Sequence, residues 1–152
     1  GEPRARLAIA GSGELNEWLD NRIASSTYPD SIAKLGRVED GEKRWLFEQA
    51  KGVLIPSRFE GLPTVLLEAM HAGAPTVMAD VNDLGRLVTE PNAGLSVSPG
   101  DSQDLLKAIN TLLQADDAQI KSWSQNGHEA SKPYLWSNVA DDLLNVYKRV
   151  RT

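Results

Sequence analysis

The sequence predicts an α/β fold, a Rossmann-like doubly wound parallel sheet, in a single domain over residues 1–152. Three observations predict it. Short apolar runs end at glycine or proline, these runs alternate with segments of helical periodicity, and no internal repeat or low-complexity linker breaks the order. Strands alternating with helices build parallel β-α-β units.

The first such run, Leu7-Ala8-Ile9-Ala10, ends at Gly11-Ser12-Gly13 and reads as a buried strand. Residues 14–25 carry Leu15, Trp18, Leu19 and Ile23 at helical spacing. A second strand over 32–35 stops at Gly36; residues 42–50 read as helix, and Val53-Leu54-Ile55 as a strand closed by Pro56. A helix over 63–72, a strand over 76–78 and a weaker strand near 95–97 follow. The rest reads as helical: Asp101 is the N-cap of a helix, with Asp104 three residues on and a stripe of Leu105, Leu106, Ile109, Leu112 and Leu113. The last helix, over 137–149, has Val139, Leu143, Val146 and Val150 on one side. The four tryptophans, at 18, 45, 123 and 136, read as packing residues rather than sugar platforms. Sheets of this type often have a further strand beside the first, so the chain is expected to lack one.

Composition narrows the function. A hydrophobic content of 41% is enough for a core. The net charge of −5, with no run of Lys or Arg, disfavours nucleic acid and permanent attachment to anionic lipid. With no cysteine, disulfides, thiolate metal sites and cysteine nucleophiles are excluded. His71 and His128 are the only imidazoles and form no local metal motif. No apolar run approaches the roughly 20 residues of a membrane-spanning helix. Gly1-Glu2-Pro3-Arg4 leads into a strand-like segment rather than a signal peptide, so the expected compartment is the cytoplasm.

The chemistry concentrates in residues 52–77, GVLIPSRFEGLPTVLLEAMHAGAPTV, which read as strand, loop, helix and strand. In open α/β sheets, ligands bind at the carboxyl ends of strands, where this loop must lie. Pro63 suits the first helical turn, and Gly73 followed by Pro75 is a stop signal. The N–H groups of Thr64 and Val65 then lack helical partners and face outward at the positive end of the dipole, a site for phosphate oxygens. Gly61 admits close backbone approach. Leu62, Val65, Leu66, Ala69 and Met70 form the expected core stripe, while Thr64, Glu68 and His71 share the opposite one. Glu68 could accept from two ribose hydroxyls. Glu60, eight positions earlier, would lie beside the sugar joined to the phosphate. Taken singly, each glutamate is an ordinary dipole-complementing or solvated charge. The pair within this glycine and proline frame is specific.

This stretch resembles the E-x7-E signature of retaining glycosyltransferases with the GT-B architecture, with Glu60 and Glu68 as the two glutamates. AIAGSGE, KLGRVED and LSVSPGDSQDLLKAINTLL also look like family segments, so the resemblance covers nearly the whole chain. It implies the C-terminal half of a GT-B enzyme, binding a UDP- or GDP-linked sugar and transferring the sugar to a glycolipid, polysaccharide or other glycan. Glu60 would act on the transferred sugar as the catalytic residue, and Glu68 would bind the ribose. Backbone groups of Gly61, Leu62, Pro63, Thr64 and Val65 would hold the diphosphate. Gly36, Arg37 and Val38 would lie against the base, and Gly11, Ser12 and Gly13 would border the donor cleft.

The resemblance implies no cofactor. No metal is expected either, because Asp80-Val81-Asn82-Asp83 lacks D-x-D spacing and helix-end dipoles can stabilise a departing diphosphate. It also implies a separate N-terminal acceptor-binding domain, on the same or another chain, through which peripheral membrane contact would arise. An Arg and a Lys that grip the phosphates in the family would precede residue 1, and Arg37 and Arg58 do not match them. The chain alone is therefore expected to bind donor with little transfer. The final helix, with Trp136 and Tyr147, resembles the segment that packs back on that domain, or is an ordinary terminal helix.

Other readings are carried beside this one. Gly11-Ser12-Gly13 lacks the third glycine of a dinucleotide fingerprint, since position 16 is Asn, and reads more simply as a turn. A nucleotide-sugar epimerase or glycosidic phosphorylase would share the architecture, though no lysine is placed for pyridoxal phosphate. A non-catalytic nucleotide-sugar-binding module acting with a partner chain is a further alternative. A two-carboxylate hydrolase ranks below these, because it needs both acids across one sugar.

Overall fold

The computed structural model describes residues 5–150. Its strands are β1 (Leu7–Ala10), β2 (Ile32–Gly36), β3 (Val53–Ile55), β4 (Thr76–Ala79) and β5 (Gly94–Val97). Its helices are α1 (Asn16–Ala24), α2 (Asp40–Gln49), α3 (Thr64–His71), α4 (Arg86–Thr89), α5 (Ser102–Gln114), α6 (Asp117–Ser131) and α7 (Trp136–Val150). The alternation expected from sequence is present, and every strand pairing is parallel. The chain divides into two compact units, Gly1–Lys43 and Arg44–Thr152.

In the first unit β1 pairs with β2, Leu7 opposite Ile32 and Ile9 opposite Lys34, before a shift sets Ala10 opposite Gly36. Lys34 ties α1 to β2: its Nζ donates to Asp20 Oδ1 at 2.7 Å and to the Asn16 carbonyl at 3.3 Å. β1 is not the buried strand the sequence suggests, because Leu7 is exposed and only Ile9 is half-covered. A two-stranded sheet has only edge strands, and of the apolar residues in the body of α1 only Leu19 and Ile23, one turn apart, are large and half-covered. Trp18 lies off that stripe and is 58% exposed, with the Arg22 guanidinium 5.9 Å from its ring centre.

The second unit holds a sheet ordered β3-β4-β5. All four residues of β4 are buried, as a central strand covered on both faces requires. Its alternation separates two cores. Val77 and Ala79 pack with Val97, Ala108, Leu112 and Trp123. Met78 packs with Ile55, Leu66, Met70, Val88 and Ala93 on the other side. A Cβ at Gly94 would collide with the Thr76 carbonyl, so only glycine lets β5 start this close to β4.

Several expected core positions are corrected. Leu62 and Leu106 are exposed, and Val65 lies at the rim; the buried stripe of α3 is Leu66, Ala69 and Met70. Of the tryptophans only Trp123 is buried, while Trp45 and Trp136 face solvent. α7 forms with the expected apolar side, but none of its residues is buried. Among the described residues no helix is long and apolar enough to cross a membrane.

Candidate functional site

The site grows from the carboxyl end of β3. After Ile55, Pro56 ends the strand and the chain runs through Ser57, Arg58, Phe59, Glu60, Gly61 and Leu62 to Pro63. Glu60 is half-buried and tethered twice. Ser57 Oγ donates to its Oε1 at 2.6 Å, and Asn82 Nδ2 donates to its main-chain carbonyl at 3.0 Å. Phe59 beside it is 91% exposed. Space over Gly61 is open, since a Cβ there would meet nothing within 4 Å.

Pro63 is the N-cap of α3 in extended conformation (φ −74°, ψ 98°), one residue earlier than a first-turn proline. Leu66 N–H donates to the Pro63 carbonyl at 3.0 Å. Thr64 and Val65 therefore precede the first helical bond, and the geometry leaves their N–H groups without a carbonyl one turn back. No side chain caps this helix and no acid stands in its first turn. By contrast, Asp101 caps α5 and Asp116 caps α6, and α1 and α2 carry first-turn acids. The positive end of α3 thus carries no compensating side chain of its own helix, as is also true of the short α4. Glu68 lies on the exposed side of α3, two residues beyond Leu66. The helix ends as expected: Gly73, at φ 79°, turns the chain, with Ala74 N–H bonded to the Ala69 carbonyl at 2.9 Å.

A shallow cavity of ≈160 Å³ opens at the carboxyl ends of β3, β4 and β5, where Arg58 faces Ser98, Asp101 and Ser102. A larger open cleft of ≈540 Å³ lies at the other end of α3, lined by Gly73, Ser124, His128 and Glu129. It lies apart from Glu60 and includes none of the predicted site residues.

The remaining predicted residues lie in the first unit. Gly11 (φ 135°) and Gly36 (φ 68°) end β1 and β2, and Gly11 N–H donates to the Gly36 carbonyl at 2.6 Å. This bond joins the turn carrying Ser12 and Gly13 to the one carrying Arg37 and Val38. Arg37 is exposed and Val38 half-buried. The structure therefore gathers the predicted residues into two sets, one in each unit.

Sequence reasoning missed Ser57 and Asn82. The signal for Asn82 was its residue type, since Asn tolerates the left-handed turn it occupies. Among the described residues no cluster of three or more His, Cys, Asp or Glu could hold a metal.

The sequence profile of glycosyl transferases group 1 matches residues 1–130. The chain belongs to the glycosyl transferases group 1 family. An uncharacterized glycosyltransferase of Methanocaldococcus jannaschii is 30% identical over 146 residues, 95% of this chain and 37% of that protein. A phosphatidyl-myo-inositol mannosyltransferase of Mycobacterium leprae is 33% identical over 148 residues, 97% of this chain and 38% of the relative. The chain thus spans less than two-fifths of these relatives. Sucrose-phosphate synthase of Thermosynechococcus elongatus matches with a TM-score of 0.83 at 24% identity, over 95% of this chain and 38% of that one. HepE of Anabaena, solved in complex with UDP and glucose, matches with a TM-score of 0.77 at 20% identity, over 99% of this chain and 42% of that one. The fold is that of the GT-B glycosyltransferases, with a Rossmann-like parallel α/β arrangement.

Proposed function

We propose that this chain is the donor-binding, C-terminal part of a retaining glycosyltransferase that takes a UDP- or GDP-linked sugar. One observation carries the reading: the start of α3 is bare of cap and acid, and the tethered Glu60 sits immediately before it. The diphosphate would accept from the N–H groups of Gly61, Thr64 and Val65, where helix-end dipoles favour negative charge. As the glycosidic bond breaks, the leaving diphosphate gains charge and these fixed donors stabilise it. Glu60 would hold hydroxyls of the transferred sugar and Glu68 those of the ribose. In the first unit, Gly11, Ser12, Gly13, Gly36, Arg37 and Val38 would be the donor-binding residues. The acceptor would come from an N-terminal domain, and neither metal nor cofactor enters the scheme.

Calorimetric titration with UDP, GDP and ADP, with and without a chelator, tests this. Saturable, chelator-insensitive binding of one nucleotide supports it and names the base. Binding lost on chelation would sink the metal-free scheme, and no binding of any nucleotide would sink the donor assignment. Glu68→Ala should weaken nucleotide binding, whereas Glu60→Ala in a complete enzyme should chiefly lower turnover. Unchanged nucleotide affinity in the Glu68 variant would refute that division.

A further inference from the structure

The turn after β4 contains two consecutive non-glycine residues in the left-handed region, Asn82 (φ 52°) and Asp83 (φ 63°). Such residues are uncommon outside glycine and persist only where neighbours hold them. Here the turn is pinned at both ends. Asp80 N–H donates to the Val97 carbonyl at 2.8 Å, extending the β4–β5 ladder. Asp80 Oδ1 accepts from Gly85 N–H at 2.9 Å, and Leu84 N–H donates to the Val81 carbonyl at 3.0 Å. From this braced turn Asn82 reaches back across 22 positions and donates Nδ2–H to the Glu60 carbonyl at 3.0 Å.

A carbonyl and the next residue's N–H belong to one plane and point in opposite directions when trans. Holding the Glu60 carbonyl toward Asn82 therefore turns the Gly61 N–H away from Asn82. Glycine on one side of that peptide removes the steric resistance to a flip. A flipped plane would present a carbonyl oxygen where a phosphate needs a donor.

Resting on the donor reading above, we propose that Asn82 is a positioning residue that locks the Glu60–Gly61 peptide with its N–H toward the donor diphosphate. It touches no substrate itself; it acts through the peptide it holds.

The test uses this chain with Asn82→Gly and Asn82→Asp. Glycine keeps the left-handed turn and aspartate keeps the side-chain shape, but both remove the donor. Calorimetry compares UDP with UMP and GDP with GMP, N–H residual dipolar couplings follow the orientation of the Gly61 N–H, and amide hydrogen exchange follows β4 and β5. Both variants should lose the diphosphate's advantage over the monophosphate by roughly fivefold, as expected for one hydrogen bond. Monophosphate affinity should stay unchanged, and the N–H coupling should change at Gly61 without faster exchange in β4 or β5. A glycine variant that keeps the diphosphate advantage overturns the proposal, because Asn82 would then serve only its turn. Equal loss for mono- and diphosphates, with faster exchange through β4 and β5, overturns it as well, marking general loosening. If the unaltered chain binds no nucleotide, the donor reading falls, while the orientation of the Gly61 N–H still decides the lock: changed in both variants sustains it, unchanged rejects it.

Discussion

Ser57 Oγ donates to Glu60 Oε1 across 2.6 Å, from three residues upstream in the same loop. The bond fixes one carboxylate oxygen, and on the proposed reading the other would accept a sugar hydroxyl. Ser57→Ala should therefore leave the affinity for free UDP or GDP unchanged and weaken the matching nucleotide sugar by about tenfold, the scale of a hydrogen bond to a charged group. Paired titrations with nucleotide and nucleotide sugar check this, and equal affinities in variant and parent would reject it.

Leu112 occupies the space a side chain at position 52 would need. A Cβ on Gly52 would lie 2.6 and 2.9 Å from the Leu112 methyl carbons and 3.0 Å from the Pro75 carbonyl. Gly52→Ala should cost about 1–3 kcal/mol by overpacking, and Leu112→Ala about 2–5 kcal/mol by leaving a cavity. The double variant should cost less than the sum, since each change relieves the other. Denaturant unfolding of all four proteins measures the coupling; strict additivity would contradict the packing.

Asp104 lies in the first turn of α5 and accepts Ser98 N–H at 2.8 Å. That backbone bond, together with the Ser98 hydroxyl and to a smaller extent Lys107, holds its carboxyl below the usual carboxylate range. A lowered folded value means stability that is present above the ordinary aspartate value of about 4 and lost as pH falls through the folded value. Asp104→Asn should thus flatten the decline of melting temperature below about pH 4. An unchanged acid profile in the variant would count against the assignment.

His128 Nδ1 lies 2.7 Å from the His71 carbonyl, which only accepts, so His128 carries its proton on Nδ1. The Ser131 hydroxyl spends its proton on the His128 carbonyl at 2.7 Å, so His71 donates Nδ1–H to Ser131 Oγ at 3.3 Å. The two rings stack with centroids 5.0 Å apart. In their neutral forms both histidines should show the Nδ1–H tautomer in nitrogen NMR shifts. Ser131→Ala should cost about 1–3 kcal/mol, because Ser131 is buried and its loss strips the His71 donor and His128 carbonyl of a partner.

The strands and α3 were legible because glycine, proline and short apolar runs mark them directly. α6 falls in the stretch read as helical, but its own bounds were not legible, and its buried face explains why. That face is Trp123, Gly127 and Ser131, with one large apolar residue among the three. A Cβ at Gly127 would stand 3.7 Å from Met70 Cα, so the face is small because α3 packs closely against it. Hydrophobic periodicity cannot reveal a helix whose inner surface is glycine and serine. Leu106 failed for the opposite reason, since a leucine adjoining a stripe can lie on either side of its boundary. Glu60 and Glu68 were singled out by their spacing, whereas the contact of Asn82 with Glu60 was hidden because the two stand 22 positions apart.

The bare start of α3 has a consequence for folding as well as for binding. A side-chain cap is worth about 1 kcal/mol to a helix, and α3 forgoes it while α5 and α6 keep theirs. An anion seated there becomes the missing cap and favours the folded chain over the unfolded one. Melting temperature should consequently climb with nucleotide concentration. An acid installed in its place would make the empty protein firmer and the occupied one weaker. On the proposed reading, resting stability and hold on the donor would be opposite demands on the same few N–H groups.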